Sequence, residues 1–250
     1  MLIGALVIGV LVGSLTGLLG AGGAIIALPL LVYALGIPMA DAVPMMLAVG
    51  VLSPISALLP RLRTDVDWRS VAAVGAAGIL GAYSGTAAGA HLPDRLTLAV
   101  FALLMIVAGV RMLRRGGPTE EPAPELGLAE RVLRGLGVGL LAGFLTGLLG
   151  LGGGFIVIPL LMLALHLPFK RAVGTSLAVT VVNAAAGLVS HWGTAQLDWG
   201  LTATFAIATV GAAFLAARLA TRVPAEPLQR AFAILILGLA AFTLAQSILA

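Results

Sequence analysis

The chain contains no cysteine, which excludes disulfides, thiolate metal ligands and cysteine nucleophiles. Charge is almost as scarce: charged residues make up 10% of the 250 positions, where a soluble domain carries about 25%. Lys170 is the sole lysine, and His91, His166 and His191 stand near the ends of apolar stretches. There is no HExxH and no aspartate pair, so the groups expected of a hydrolase or metalloenzyme are missing. The expectation is a protein that is not an enzyme and has neither cofactor nor metal site. No Asp, Glu, Lys or Arg falls in the middle of an apolar tract, which also removes the buried carboxylate of a proton or cation relay.

What fills the chain instead is hydrophobic, at 60% of residues. Several tracts reach the roughly 20 residues that cross about 30 Å of hydrocarbon. They are unbroken by charge, unlike the alternating strands of a membrane barrel. The fold class expected is all-α, a polytopic helical membrane protein. The opening MLIGALVIGVLVG has no positive n-region and no cleavage signature, so it reads as part of the fold rather than as a signal peptide. A pI near 10.6 does not point to nucleic acid, because the basic residues sit at helix ends, where membrane orientation explains them.

Two glycine-rich stretches organise the sequence. GSLTGLLGAGGAIIALPLLVYAL at 13 to 35 returns as GFLTGLLGLGGGFIVIPLLMLAL at 143 to 165. The correspondence continues through Pro38 and Pro168, Ala42-Val43 and Ala172-Val173, and Leu47-Ala48-Val49 and Leu177-Ala178-Val179. After a one-residue insertion it runs on through Asp67-Trp68 and Asp198-Trp199, Pro93 and Pro224, and Phe101 and Phe232. One unit is written twice, as residues 1–113 and 131–250, joined by a solvated linker at 114–130 that holds Glu120, Glu121, Glu125 and Glu130 among Gly and Pro.

Apolar length bounded by charge, Gly and Pro gives five segments per half: 2–20, 24–36, 40–60, 68–90 and 93–113, then 131–149, 154–166, 171–191, 199–220 and 225–249. With this drawing only Arg95, of the 14 Lys and Arg residues, falls outside the basic side. Merging the first two segments of each half into one crossing spreads the charges almost evenly and loses the preference that orients a membrane protein. An odd unit, repeated, enters the membrane upside down. The expectation is two inverted five-segment repeats with about eight to ten transmembrane segments, and both termini outside the inner membrane of a prokaryote. Charge parity does not separate a full crossing of segments one and two from a re-entrant V. The second segment, at roughly 20–22 Å of helix, favours the V.

Gly9, Gly13 and Gly17, like Gly139, Gly143 and Gly147, recur at every fourth position, a stripe suited to close helix packing. Gly20, Gly22 and Gly23, with Gly150, Gly152, Gly153 and Gly154, bunch instead between two apolar helices. Unwound backbone there must line a cavity or be buried in protein, and the helix that follows aims its N–H groups back at the loop, an arrangement that suits an anion. Hydroxyl and amide groups that could donate to an oxyanion lie nearby in sequence: Thr16, Ser53, Thr146, Thr175, Ser176 and Asn183. Ser53 and Asn183 are repeat-equivalent. Asp41 and His91 are weaker candidates for a pH-sensitive entrance.

GLLGAGGAIIALPLL, GLLGLGGGFIVIPLL and PFKRAVGTSLAV at 168 to 179, with Pro93 and Pro224 opening the last helix of each half, resemble the TauE/SafE sulfite exporter family. The resemblance implies an inner-membrane permease or exporter for sulfite or a small organosulfonate, with the lipid bilayer and a small oxyanion as its partners and an oligomer possible. PMADAVPMMLAV in the first half departs from AVGTSL, so the two halves are not expected to contribute equal contacts. An interior at negative potential expels anions with about 2.3 kcal/mol per charge per 100 mV, so export needs no coupled cation. The expected mechanism is a central site alternately opened by rocking of the two halves. The rivals are a transporter of a cation or neutral metabolite on the same scaffold, and an intramembrane enzyme or structural subunit.

Overall fold

The computed structural model describes residues 2–20, 27, 30–37, 39–89, 94–114, 127–149, 154–190 and 199–249. Gly22, Gly23, Gly150, Gly152 and Gly153, His91, and the central part of the linker lie outside them, as do the surroundings of the Asp41 side chain. Among the described residues every regular element is helical: α1 Leu2–Leu19, α2 Met39–Leu58, α3 Trp68–Gly89, α4 Asp94–Arg114, α5 Leu128–Leu149, α6 Gly154–Ala164, α7 Phe169–Ser190, α8 Trp199–Arg222 and α9 Ala225–Leu249. The helix of the second half begins at Leu128 rather than at 131 because Glu130 and Arg134 pair one turn apart, 2.5 Å between Arg134 Nη2 and the carboxylate, and support the extra turn.

Hydrophobicity does not tell these helices which side faces inward, since both sides are apolar. Size does. On α1 the buried side carries Ala5, Gly9, Gly13, Thr16 and Gly17 beside Ile8, Val12 and Leu19, while Ile3, Val7, Val10 and Leu11 stand exposed. Leu80 and Tyr83 on α3, Ile207, Leu215 and Leu219 on α8, and Ile234 and Phe242 on α9 are exposed in the same way. In water such a surface would drive association; against lipid tails it costs nothing. Among the described residues five helices are long and apolar enough to cross a bilayer, including α1, α5, α8 and α9. The chain is a polytopic helical membrane protein.

In lipid, helix association rests on van der Waals fit, which favours small residues at contacts. Added methyl groups at Gly9, Gly13 and Gly17 would meet the carbonyl oxygens of Phe205, Thr209 and Ala213 on α8. Those at Gly139, Gly143 and Gly147 would meet the carbonyls of Val74, Gly78 and Ala82 on α3. The residue numbers rise together in each set, so α1 runs parallel to α8 and α5 parallel to α3. Each half's first helix therefore lies along the other half's fourth, and the two contacts repeat residue for residue.

Two repeat-equivalent pairs, α4 with α9 and α2 with α7, run antiparallel instead. Gly109 on α4 packs against Leu237 on α9, and Gln229 Nε2 donates to the Met112 carbonyl at 2.9 Å. Between α2 and α7, Gly50 meets Ala184, whereas beyond the end of α2 the Asp65 carbonyl approaches Gly174. One face of the molecule gathers helix ends with basic and acidic groups. There Arg131 pairs with Asp67 at 3.3 Å, Arg134 Nη1 donates to the Ala164 carbonyl at 3.1 Å, and Lys170 Nζ donates to the Thr221 carbonyl at 3.2 Å.

The short apolar segments lie at the centre of two cores. Phe155, Ile156, Ile158 and Leu161 of α6 lie among α4, α5 and α7, with Phe169 and Phe232 in ring contact at 6.0 Å in the same core. Leu31, in the π-helical turn Leu30–Ala34, packs with Ile8, Val12, Met45 and Phe205. α6 has 11 residues, about 16–17 Å at 1.5 Å per residue, too short to cross hydrocarbon. Both segments end alike: Ile37 N–H donates to the Leu31 carbonyl at 3.1 Å and Leu167 N–H to the Leu161 carbonyl at 3.3 Å. The cap residue is Gly36 with φ 67° in one half and His166 with φ 54° in the other. Glycine takes that left-handed conformation freely, whereas histidine is strained in it.

Candidate functional site

The hydroxyl and amide groups singled out by the sequence fall into two sets. Thr16 Oγ1 donates to its own helix at the Val12 carbonyl, 2.9 Å, and Thr146 Oγ1 to the Ala142 carbonyl, 2.7 Å, the back-bonding that Thr adopts when nothing else needs its proton. Ser176 Oγ donates to the Gly154 carbonyl at 2.7 Å and so ties the first residue of α6 to α7. Thr175, fully buried, accepts the Asp67 N–H at 3.0 Å, and Ser70 Oγ donates to the Asp67 carboxylate. These two side chains hold backbone that frames the site. Gly20 has φ 68°, its N–H donates to the Thr16 carbonyl at 2.9 Å, and a methyl there would strike Val173 of α7. The left-handed turn at the end of α1 thus permits only glycine and sits directly on α7.

Ser53 and Asn183 form the other set. Ser53 Oγ and Asn183 Oδ1 are buried and have no hydrogen-bond partner among the described residues. An unpaired buried polar group costs about 1–3 kcal/mol, and here two of them stand at repeat-equivalent positions. Their surroundings are made of small residues. Asn183 packs on Gly78 of α3, and its neighbours Val182 and Ala184 meet Gly75 of α3 and Gly50 of α2. Ser53 lies one turn from Gly50, on the helix whose Ser56 Oγ donates to the Ser53 carbonyl at 2.8 Å and also approaches the Val210 carbonyl of α8 at 3.1 Å. Pro54 is buried inside α2 and has no N–H, which leaves the Gly50 carbonyl without its in-helix donor. The crossing of α2 and α7 therefore holds a hydroxyl, an amide and a freed carbonyl amid apolar packing.

Arg61 is a residue that sequence reading assigned only to a charged loop. It ends the short turn Leu59–Arg61 beyond α2, and it is 4% exposed. Its Nη2 donates to the Gly17 carbonyl of α1 at 2.9 Å, while Nη1 has no partner. Burial pulls the guanidinium down to about 10, with Asp65 acting in the opposite sense, so it stays cationic at neutral pH. A signal was present in the sequence: LLPRLR continues the apolar run of α2 past the proline, so the first arginine is drawn inward with it. Among the described residues no group of three His, Asp or Glu side chains comes together as a metal site would require.

A bundle of apolar helices with interrupted segments at its centre and unpaired polar groups at a helix crossing defines a membrane transporter. Relatives agree. The chain is 30% identical over 246 residues, 96% of this chain and 93% of the other, to a protein of Xylella fastidiosa described as a probable membrane transporter protein. Proteins described in the same words from Methanocaldococcus jannaschii, 28% identical over 193 residues with 74% and 70% covered, and Bacillus subtilis, 24% over 239 residues with 85% of each covered, are also similar. The chain belongs to the family described as sulfite exporter TauE/SafE, whose model matches residues 5–243. No solved structure matches it.

Proposed function

We propose that this transporter carries a small sulfur oxyanion, sulfite or an organosulfonate, out of a prokaryotic cell across the inner membrane. The observation that carries the proposal is the pair Ser53 and Asn183, repeat-equivalent and buried with unpartnered oxygens. A serine hydroxyl donates, and rotation of the Asn183 amide presents two N–H donors in place of its oxygen. Gly154 and the glycine elbows at Gly20, Gly22 and Gly23 and at Gly150, Gly152 and Gly153 complete the site in this reading, with Thr175 and Ser176 holding the frame. The family and the absence of buried carboxylates in the apolar tracts support an anion moved by the membrane potential.

The antiparallel course of α2 and α7, and of α4 and α9, supports two inverted repeats with the basic face inside. The length and burial of α6 support a re-entrant second segment. Because α1 lies along α8 and α5 along α3, the rocking bodies of alternating access are pairs drawn from both halves. Purified protein in liposomes, loaded with sulfite, organosulfonates or sulfate, tests the reading: sulfite or sulfonate flux that other anions compete for supports it. A rival has its own observation, since the Asn183 oxygen and the freed Gly50 carbonyl are acceptors that suit a cation or neutral solute. Na⁺-dependent flux indifferent to anions would favour that rival.

A further inference from the structure

Among the described residues Arg61 is the one charged side chain that is fully buried. A cation taken out of water is costly unless its N–H groups find partners, and only one arm of this guanidinium has done so. Nη2 caps the end of α1 through the Gly17 carbonyl, a favourable place for positive charge. That task does not require an arginine. The corresponding carbonyl in the second half, Gly147, accepts instead from the Thr86 hydroxyl at 3.3 Å. Asp65 lies close enough to act on the guanidinium electrostatically, yet the two form no ion pair among the described contacts.

The position of Arg61 adds a direction. It sits on the continuation of α2, just over two helical turns from Ser53, about 12 Å at 1.5 Å per residue. It lies on the face that gathers Asp67, Arg131, Arg134 and Lys170. An unpartnered hydroxyl on α2 at the crossing with α7 is thus followed, just past the end of that helix, by an unpartnered guanidinium arm at the basic face. We infer that Arg61 is a second anion-binding point, at which a small oxyanion pairs with Nη1 at the inner end of the path before reaching Ser53 and Asn183. The inference rests on the anion reading of the central site. The Gly17 carbonyl holds the planar guanidinium in one orientation, so the free arm offers its N–H donors without reordering. A cation or neutral solute gains nothing there, which makes the residue a source of charge selectivity.

Sulfite uptake by liposomes containing the wild type, R61K or R61Q tests this, with the thermal midpoint of each purified protein followed with and without sulfite. R61Q is expected to raise the half-saturating sulfite concentration about tenfold or more, the loss of one charge-assisted hydrogen bond. R61K is expected to fall between, and the sulfite-induced rise in midpoint to shrink in the same order. A purely structural role would lower the midpoint without sulfite and leave half-saturation alone; unchanged half-saturation in R61Q, or in R61K should R61Q fail to fold, overturns the site. Anion flux that ignores Arg61 ends this inference alone. Absence of any anion flux in the wild type ends the central-site reading and this one together.

Discussion

Ser53 and Asn183 occupy the same place in the two repeats, on antiparallel helices that cross at Gly50 and Ala184, and each keeps a buried oxygen unbonded. Removing such a group relieves a folding cost, whereas removing a ligand lowers flux, so stability and activity are expected to move in opposite directions. N183A and S53A should unfold at the wild-type temperature or above it while sulfite flux falls about tenfold or more. Thermal unfolding in detergent and flux in liposomes, on the same preparations, check this. Wild-type flux in both variants removes the pair from the site.

Thr146 spends its proton on the Ala142 carbonyl of its own helix. T146A is therefore expected to keep flux within about twofold of the wild type. S176A should behave differently: it removes the side-chain bond that ties the Gly154 carbonyl to α7 and is expected to cost about 0.5–1.5 kcal/mol at the start of α6. Denaturation midpoints separate the two.

Close backbone approach between α5 and α3 leaves no room at Gly143, where an added methyl meets the Gly78 carbonyl. G143A is expected to destabilise by about 1–3 kcal/mol, the range for overpacking. Nothing lies within 4 Å of the corresponding point at Gly238, and G238A is expected to be neutral or to stabilise by up to about 1 kcal/mol. Equal effects at the two positions would contradict the helix pairing.

His166 takes at its helix end the conformation that Gly36 takes in the first half. H166G is expected to unfold no earlier than the wild type, and H166V to lose about 1–2 kcal/mol, because a β-branched side chain suits positive φ worst. If H166V were the more stable of the two, the assigned cap would be wrong.

The absence of native cysteine gives a clean background for labelling. With T119C in the linker and D94C at the start of α4, an impermeant maleimide applied to intact cells is expected to modify D94C and spare T119C until the cells are opened. The reverse pattern would invert the proposed orientation.

The repeat was legible because glycine spacing is a backbone requirement: Gly13 and Gly143 recur in sequence, and each does meet a helix carbonyl. Which helix supplies that carbonyl was not legible. α1 seeks a shape match along its small-residue side, and α8 offers it from far along the chain. Nor could sequence distinguish Thr146 from Ser53, since both are hydroxyls in apolar runs and only the structure shows that one bonds back to its own helix while the other has no partner among the described residues. Arg61 escaped for a related reason, as charge near a proline looks like a loop until the turn carries it inward.

The partnership of Gly13 with Thr209, and of Gly143 with Gly78, means that neither repeat is self-sufficient: a fragment ending at Arg114 would carry the flat side of α1 with nothing to lay it against. Two copies of such a fragment, inserted in opposite directions, would supply each other's missing surface. On the inverted-repeat reading proposed above, the chain joins its halves as a swapped dimer joins its subunits, within one polypeptide.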